Sequence, residues 1–158
     1  MTQSVLSDFK VLSNKVMSFE FHQEEPIKGS GSQEAHMAFE VMYQNLAIEQ
    51  VDDQLLGSID LCVRVKATEK GSEKEVLSVA LLINGQFSAD SKALPAEVFE
   101  EMVCLNGIVV MLHQARSFIT ASTALAGIAP PVLMPMVNVY ELNRAMKGAE
   151  TDMEEEPN

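Results

Sequence analysis

A chain of 158 residues falls within the ~100–200 typical of one domain, which argues against two independently folded catalytic halves. With 47% hydrophobic residues and a mean hydropathy of +0.06 it carries enough apolar side chains to bury a core. Acids number 23 against 11 lysines and arginines, a net charge of −12, and the bases are not clustered as phosphate backbones require, so neither nucleic acid nor anionic membrane is expected as a partner.

Met1 to Asp8 has no basic stretch and no apolar run of ~7–15 residues, so no secretory signal is expected and the chain reads as cytoplasmic. Cys62 and Cys104 then read as reduced thiols. The first half alternates apolar and polar residues at period two, the signature of strands. Phe9, Val11, Met17, Phe19 and Phe21 share one parity and predict a first strand, with a bend or bulge at Ser13-Asn14-Lys15. His22 to Gln33 is a loop by composition, too long for a tight hairpin and suited to crossing over other strands. Met37, Phe39, Val41 and Tyr43 predict a second strand running on toward Ile48.

From Leu55 to Ala67 the pattern is clearest. Leu55, Ile59, Leu61, Val63, Val65 and Ala67 point one way, and Ser58, Asp60, Arg64 and Lys66 the other, which predicts a long antiparallel strand with one wet face. Thr68 to Lys74 suits a hairpin loop, after which Leu77, Val79, Leu81, Ile83 and Phe87 predict a fourth strand paired with the third.

The period becomes helical after Leu94-Pro95, with Glu97, Glu100 and Glu101 complementing the helix dipole. Val98, Met102, Leu105, Val109, Leu112, Ile119 and Thr123 form its apolar stripe, interrupted by Arg116, and Asn106-Gly107 is predicted to break it into two pieces. Ile108 to Leu112 is apolar on every face, more than one small sheet can cover. The window Gly107 to Ala126 resembles a membrane span, but an arginine at its centre costs ~2.5–3.5 kcal/mol, so Arg116 points to a buried or interface helix without membrane insertion. A last helix is predicted from Asn138 to Lys147. Gly148 then begins a tail, so that 1–148 forms one domain and 149–158 a disordered acidic tail.

No constellation for chemistry emerges. His22, His36, His113 and the two cysteines lack zinc-ligand spacing, and there is no phosphate loop, nucleophile elbow or His–acid pair in register, so no metal, cofactor or catalytic residue is expected. The alternative is a small-ligand-binding or catalytic α+β domain with an enclosed pocket and Asp60 or Glu40 as base, although Asp60 falls on the wet face of its strand. Among ten methionines, Met134 and Met136 stand out. They lie in Pro130 to Val137, an apolar, proline-stiffened segment that cannot be helical throughout, and methionine suits surfaces that accept many apolar shapes.

The order of elements, from Phe9 to Met146, resembles the SecB-type protein-export chaperones, as do four local strings. Ser18-Phe19-Glu20 is similar to the family's Ser-Phe-Glu, and Gly85-Gln86-Phe87-Ser88 to its Gly-x-Phe. Ala115-Arg116 with Ile119-Thr120 is similar to its Ala-Arg-x-x-Ile-(Ser/Thr), and Pro130 to Leu142 to its proline-rich segment and final helix. The resemblance implies an α+β fold: a four-stranded antiparallel sheet packed with a long helix and a short C-terminal helix. It implies a homotetramer with the long helices sandwiched between sheets, for which Ile108, Val109, Leu112, Arg116 and Ile119 are the expected interface. It also implies an ATP-independent holdase for unfolded polypeptides, with a client groove expected at Phe19, Phe21, Phe39, Leu133, Met134 and Met136, that passes clients to the SecA motor. The family's two other acidic SecA-docking positions are Val16 and Ala80 here, leaving Glu20; Gln114 replaces a tyrosine, and the crossover loop has no tryptophan. A dedicated client, such as an antitoxin, therefore stands beside export as the expected use.

Overall fold

Period-two alternation becomes four long strands in the computed structural model, which describes residues 8–24, 35–71 and 73–154. These are β1 (Lys10–Gln23), β2 (Ala35–Val51), β3 (Gln54–Glu69) and β4 (Glu75–Asp90). They form one antiparallel sheet in the order β1-β4-β3-β2. β2 turns into β3 at Asp52-Asp53, with Asp52 in the left-handed region at φ 53°, as a tight hairpin requires. β1 and β2 are the opposite edges of this sheet. Residues 25–34, most of the expected crossover loop, lie outside the described residues.

One face of the sheet is dry. Leu55, Ile59, Leu61, Val63 and Val65 of β3 and Val79, Leu81, Ile83 and Phe87 of β4 are buried on it. The other face carries Ser58, Asp60, Cys62, Arg64 and Lys66 half-buried or exposed. β1 departs from strict alternation, with register shifts between Val11 and Ser13 and between Val16 and Ser18. The second bulge overturns the shared parity expected of Met17 with Phe19 and Phe21. Val16 pairs with Ile83 on the covered side, while Met17 is thrown out, 60% exposed, because a bulged residue opposes no partner and changes side.

The dry face is covered by α1 (Ala96–Met102), a π-helical turn (Val103–Gly107) and α2 (Ile108–Leu125). They form one continuous helix, long and apolar enough by composition to cross a membrane, yet Ile108, Met111, Leu112, Ala115, Ile119 and Thr123 are buried within the core that it forms with the sheet. The break expected at Asn106-Gly107 does not occur. Gly107 serves packing: a Cβ there would sit 2.9 Å from Phe87 Cζ, and one on Gly85 2.6 Å from Met111 Sδ, so the two glycines let helix and sheet close around the Phe87 ring. The π turn also corrects the predicted stripe. One extra residue in a helix turns everything N-terminal to it by roughly one residue's rotation, so Phe99 and Val103 are buried in line with Ile108 while Val98 is 41% exposed; beyond the turn, Val109 is 40% exposed.

After α2 the chain returns without regular structure through 128–138 and enters α3 (Val139–Glu154). Asn138 caps this helix, its Oδ1 accepting from the amides of Tyr140 at 3.1 Å and Glu141 at 3.3 Å. α3 does not stop at Lys147. It continues through Gly148 to Glu154, since one glycine costs a helix only ~1 kcal/mol and Ala149, Glu150 and Met153 are adequate helix formers. Only 155–158 of the expected tail lie outside the described residues.

Candidate functional site

Residues 131–137 form a strap along α2. Prolines at 130, 131 and 135 exclude a helix here, and side chains of α2 supply the partners that a helical ladder would have supplied. Thr123 Oγ1 accepts from the Val132 amide at 3.0 Å while donating to Ile119 O at 2.8 Å. Thr120 Oγ1 donates to Val132 O at 3.0 Å, and Arg116 donates through Nε to Met134 O at 3.2 Å and through Nη2 to Pro135 O at 3.1 Å. Arg116, Thr120 and Thr123 recur at three- and four-residue spacing, one helix face. In the strap so held, Val132 to Met134 turn in, out and in, and the alternation ends at Pro135 and Met136, both exposed. Val132 and Met134 are each 4% exposed, whereas Leu133 is 69% and Met136 82% exposed.

The expected client-binding residues are therefore distributed over three places. Phe19 and Phe21 lie on β1, with Phe19 edge-on to Phe118 of α2 at 5.0 Å between ring centroids. Phe39 lies on β2 in the row Phe21–Val79–Val65–Phe39, which puts the two edge phenylalanines about 14 Å apart at ~4.8 Å per strand. Met134 belongs to the buried core. Leu133 and Met136 are the members that face solvent.

The expected oligomer residues divide similarly. Ile108, Leu112 and Ile119 are 0%, 4% and 0% exposed within a single chain, and Arg116 is occupied by the strap. Val109 remains on the outer face, next to Val110 at 38% exposure. The apolar run that one sheet was expected not to cover is thus largely covered by its own sheet, and the surplus is Val109 and Val110.

Glu20 stands on the opposite, open face of the sheet, in the row Glu20–Ala80–Arg64–Glu40. Arg64 pairs there with Glu40 at 3.6 Å, both more than half exposed. The small side chains of Ser78 and Ala80 leave a trough of about 410 Å³ bordered by Glu20, His22, Arg64 and Lys66. Val16, on the covered side, has no place in this row. The same face carries the carboxylates considered as bases, and neither is enclosed: Asp60 accepts from Asn45 Nδ2 at 2.8 Å and Asn84 Nδ2 at 2.7 Å, and Glu40 is ion-paired. Between them, burial and the Asp60 charge push the Cys62 thiol above its ordinary pKa. Among the described residues no cluster of His, Cys, Asp and Glu is arranged to hold a metal ion.

Sequence reasoning missed one polar junction. Tyr43 of β2 donates to Asn143 Oδ1 of α3 at 2.6 Å, and Asn143 Nδ2 donates to Cys104 O in the π turn at 3.0 Å. Asn143 is 8% exposed, so both its ends are paired in the interior, as a buried amide demands. Its only signal in the sequence is an asparagine beside Leu142 on an otherwise apolar helix face.

No family model matches the chain, and no curated protein does. Among solved structures, the fold is similar to the Mycobacterium tuberculosis Rv1957 SecB-like chaperone, in complex with a ChAD peptide from the Rv1956 HigA1 antitoxin. The TM-score is 0.56 at 8% identity, over 82% of this chain and 91% of that one. A protein of unknown function from Streptococcus agalactiae matches with TM-score 0.45 at 12% identity, over 81% of this chain and 97% of the other. The first likeness is one of fold: a four-stranded antiparallel sheet with a long helix and a C-terminal helix.

Proposed function

We propose that this protein is a SecB-like holdase, an ATP-independent chaperone that binds unfolded or extended polypeptides and makes or breaks no bond in them. The observation that carries the reading is the strap. Its backbone is fixed by Arg116, Thr120 and Thr123 while Leu133 and Met136 are held out to solvent. A contact surface whose backbone is already ordered loses little entropy on binding, and leucine and methionine accept many apolar shapes. The fold shared with a chaperone bound to an antitoxin peptide supports a polypeptide as client. The net charge of −12 favours basic clients through an attraction that weakens with salt.

A dedicated client is preferred over hand-off to a SecA-type motor, because the row around Glu20 mixes charges, with Arg64 paired to Glu40 beside Ala80. The reading includes a homotetramer, with Val98, Val109 and Val110 as the helix face that a second copy covers, and a cytoplasmic setting. The test is dilution of a chemically denatured reporter enzyme with and without the protein, followed by light scattering. Suppression of aggregation without ATP is expected at near-stoichiometric protein, together with sedimentation as a tetramer. Unchanged aggregation would refute the holdase reading.

A further inference from the structure

A cleft of about 610 Å³ separates α1 and its π-helical turn from α3. The strap does not line it. Its two walls differ in charge. Glu97, Glu100 and Glu101 line the α1 side, on one helix face by their spacing, and none of them has an ion-pair partner among the described residues. Arg144 and Lys147 line the α3 side, and Arg144 is paired with Glu141 of its own helix at 3.1 Å. Between the walls lies Leu105, with the Asn143 amide already committed to Cys104 O and Tyr43. Tyr140 adds a ring that is 72% exposed.

These features describe a groove between two helices with an apolar floor and one unneutralised acidic wall. From Glu97 to Leu105 the groove is about 12 Å long at ~1.5 Å per residue, two turns of helix. We propose that the cleft receives about two turns of an amphipathic helix from a partner polypeptide. The apolar stripe of that helix lies on Leu105 and Tyr140, and its Lys or Arg flank meets Glu97, Glu100 and Glu101, a helix-in-groove mode of recognition. Arg144 and Lys147 make the site selective: a helix that is cationic all round meets like charge on α3, so the basic flank must be one-sided. The proposal is independent of the holdase reading.

The test uses the full chain and a fluorescein-labelled 14-residue peptide with leucines at heptad spacing, lysines along one flank and glutamines along the other, followed by anisotropy. Saturable binding is expected, weakened at least tenfold by Glu97→Gln/Glu100→Gln/Glu101→Gln. It should stay within twofold for Glu40→Gln/Glu49→Gln/Asp52→Asn, which removes the same charge elsewhere, and for Leu133→Ser/Met136→Ser. Absence of saturable binding would overturn the proposal, as would equal weakening by both charge triples, which would report general acidity. Loss of binding in the strap variant would place the peptide on the strap. Self-association that the Glu97, Glu100 and Glu101 changes abolish, with no peptide bound, would make the cleft an interface between copies of this chain.

Discussion

The two sides of the strap are made of the same chemistry and have opposite environments. Val132 and Met134 are sealed into the core, while Leu133 and Met136, one and two residues away, stand in solvent. What separates them is the hydrogen bonding of the backbone to α2, which fixes which side chains turn in. The lesson is that an apolar residue in this segment serves stability or contact according to which way the held backbone turns it, and hydrophobicity alone does not tell which.

The comparison breaks most visibly at Met134. Met134→Ser should destabilise the protein by ~2–5 kcal/mol through the cavity and the buried hydroxyl, whereas Leu133→Ser should stay within ~0.5 kcal/mol, as exposed substitutions do. Urea denaturation of the two variants reads the difference, and equal effects would deny the alternation. Gly107→Ala comes next. The added methyl meets Phe87 at 2.9 Å and should cost ~1–3 kcal/mol as overpacking; a neutral result would mean that helix and sheet have room to part. Arg116→Gln sharpens the comparison at its cause, since it leaves the carbonyls of Met134 and Pro135 without their donors. A loss of ~1–3 kcal/mol is expected, with faster exchange of the Val132 amide, which is bonded to Thr123, and unchanged exchange would mean that the strap holds without Arg116. The smallest effect belongs to the open face of the sheet. With its thiol pKa raised by burial and by Asp60, Cys62 should react with iodoacetamide at pH 8 more slowly than an unperturbed cysteine, because less thiolate is present.

The sheet was legible because period two leaves little choice. Once Leu55 to Ala67 faces inward, so must Leu77 to Phe87 across the hairpin, and the long link after His22 implies that β1 and β2 are not neighbours. The helix was legible as a helix but not in its rotation. The π turn, Val103–Gly107, inserts a residue where Asn106-Gly107 predicts a break, so the buried face ahead of it passes through Phe99 and Val103 instead of Val98 and Met102. Gly107 misled in the other direction: it marks the close approach of a ring from β4, a long-range contact that local propensity cannot see. The strap was recognisable as an apolar segment stiffened by proline, yet its inward and outward sides depend on Arg116, Thr120 and Thr123, whose partners lie up to 19 residues away. Asn143 was illegible for the same reason, since its partners sit 39 and 100 residues off in sequence.

The central claim is that the outer side of the strap binds client while the inner side holds the fold. Its most direct measurement is the aggregation of a denatured reporter in the presence of Leu133→Ser/Met136→Ser, beside a urea titration of the same protein. The account predicts an unfolding midpoint indistinguishable from the parent and a loss of most of the protective effect. A variant that is as stable as the parent and protects the reporter equally well would contradict it.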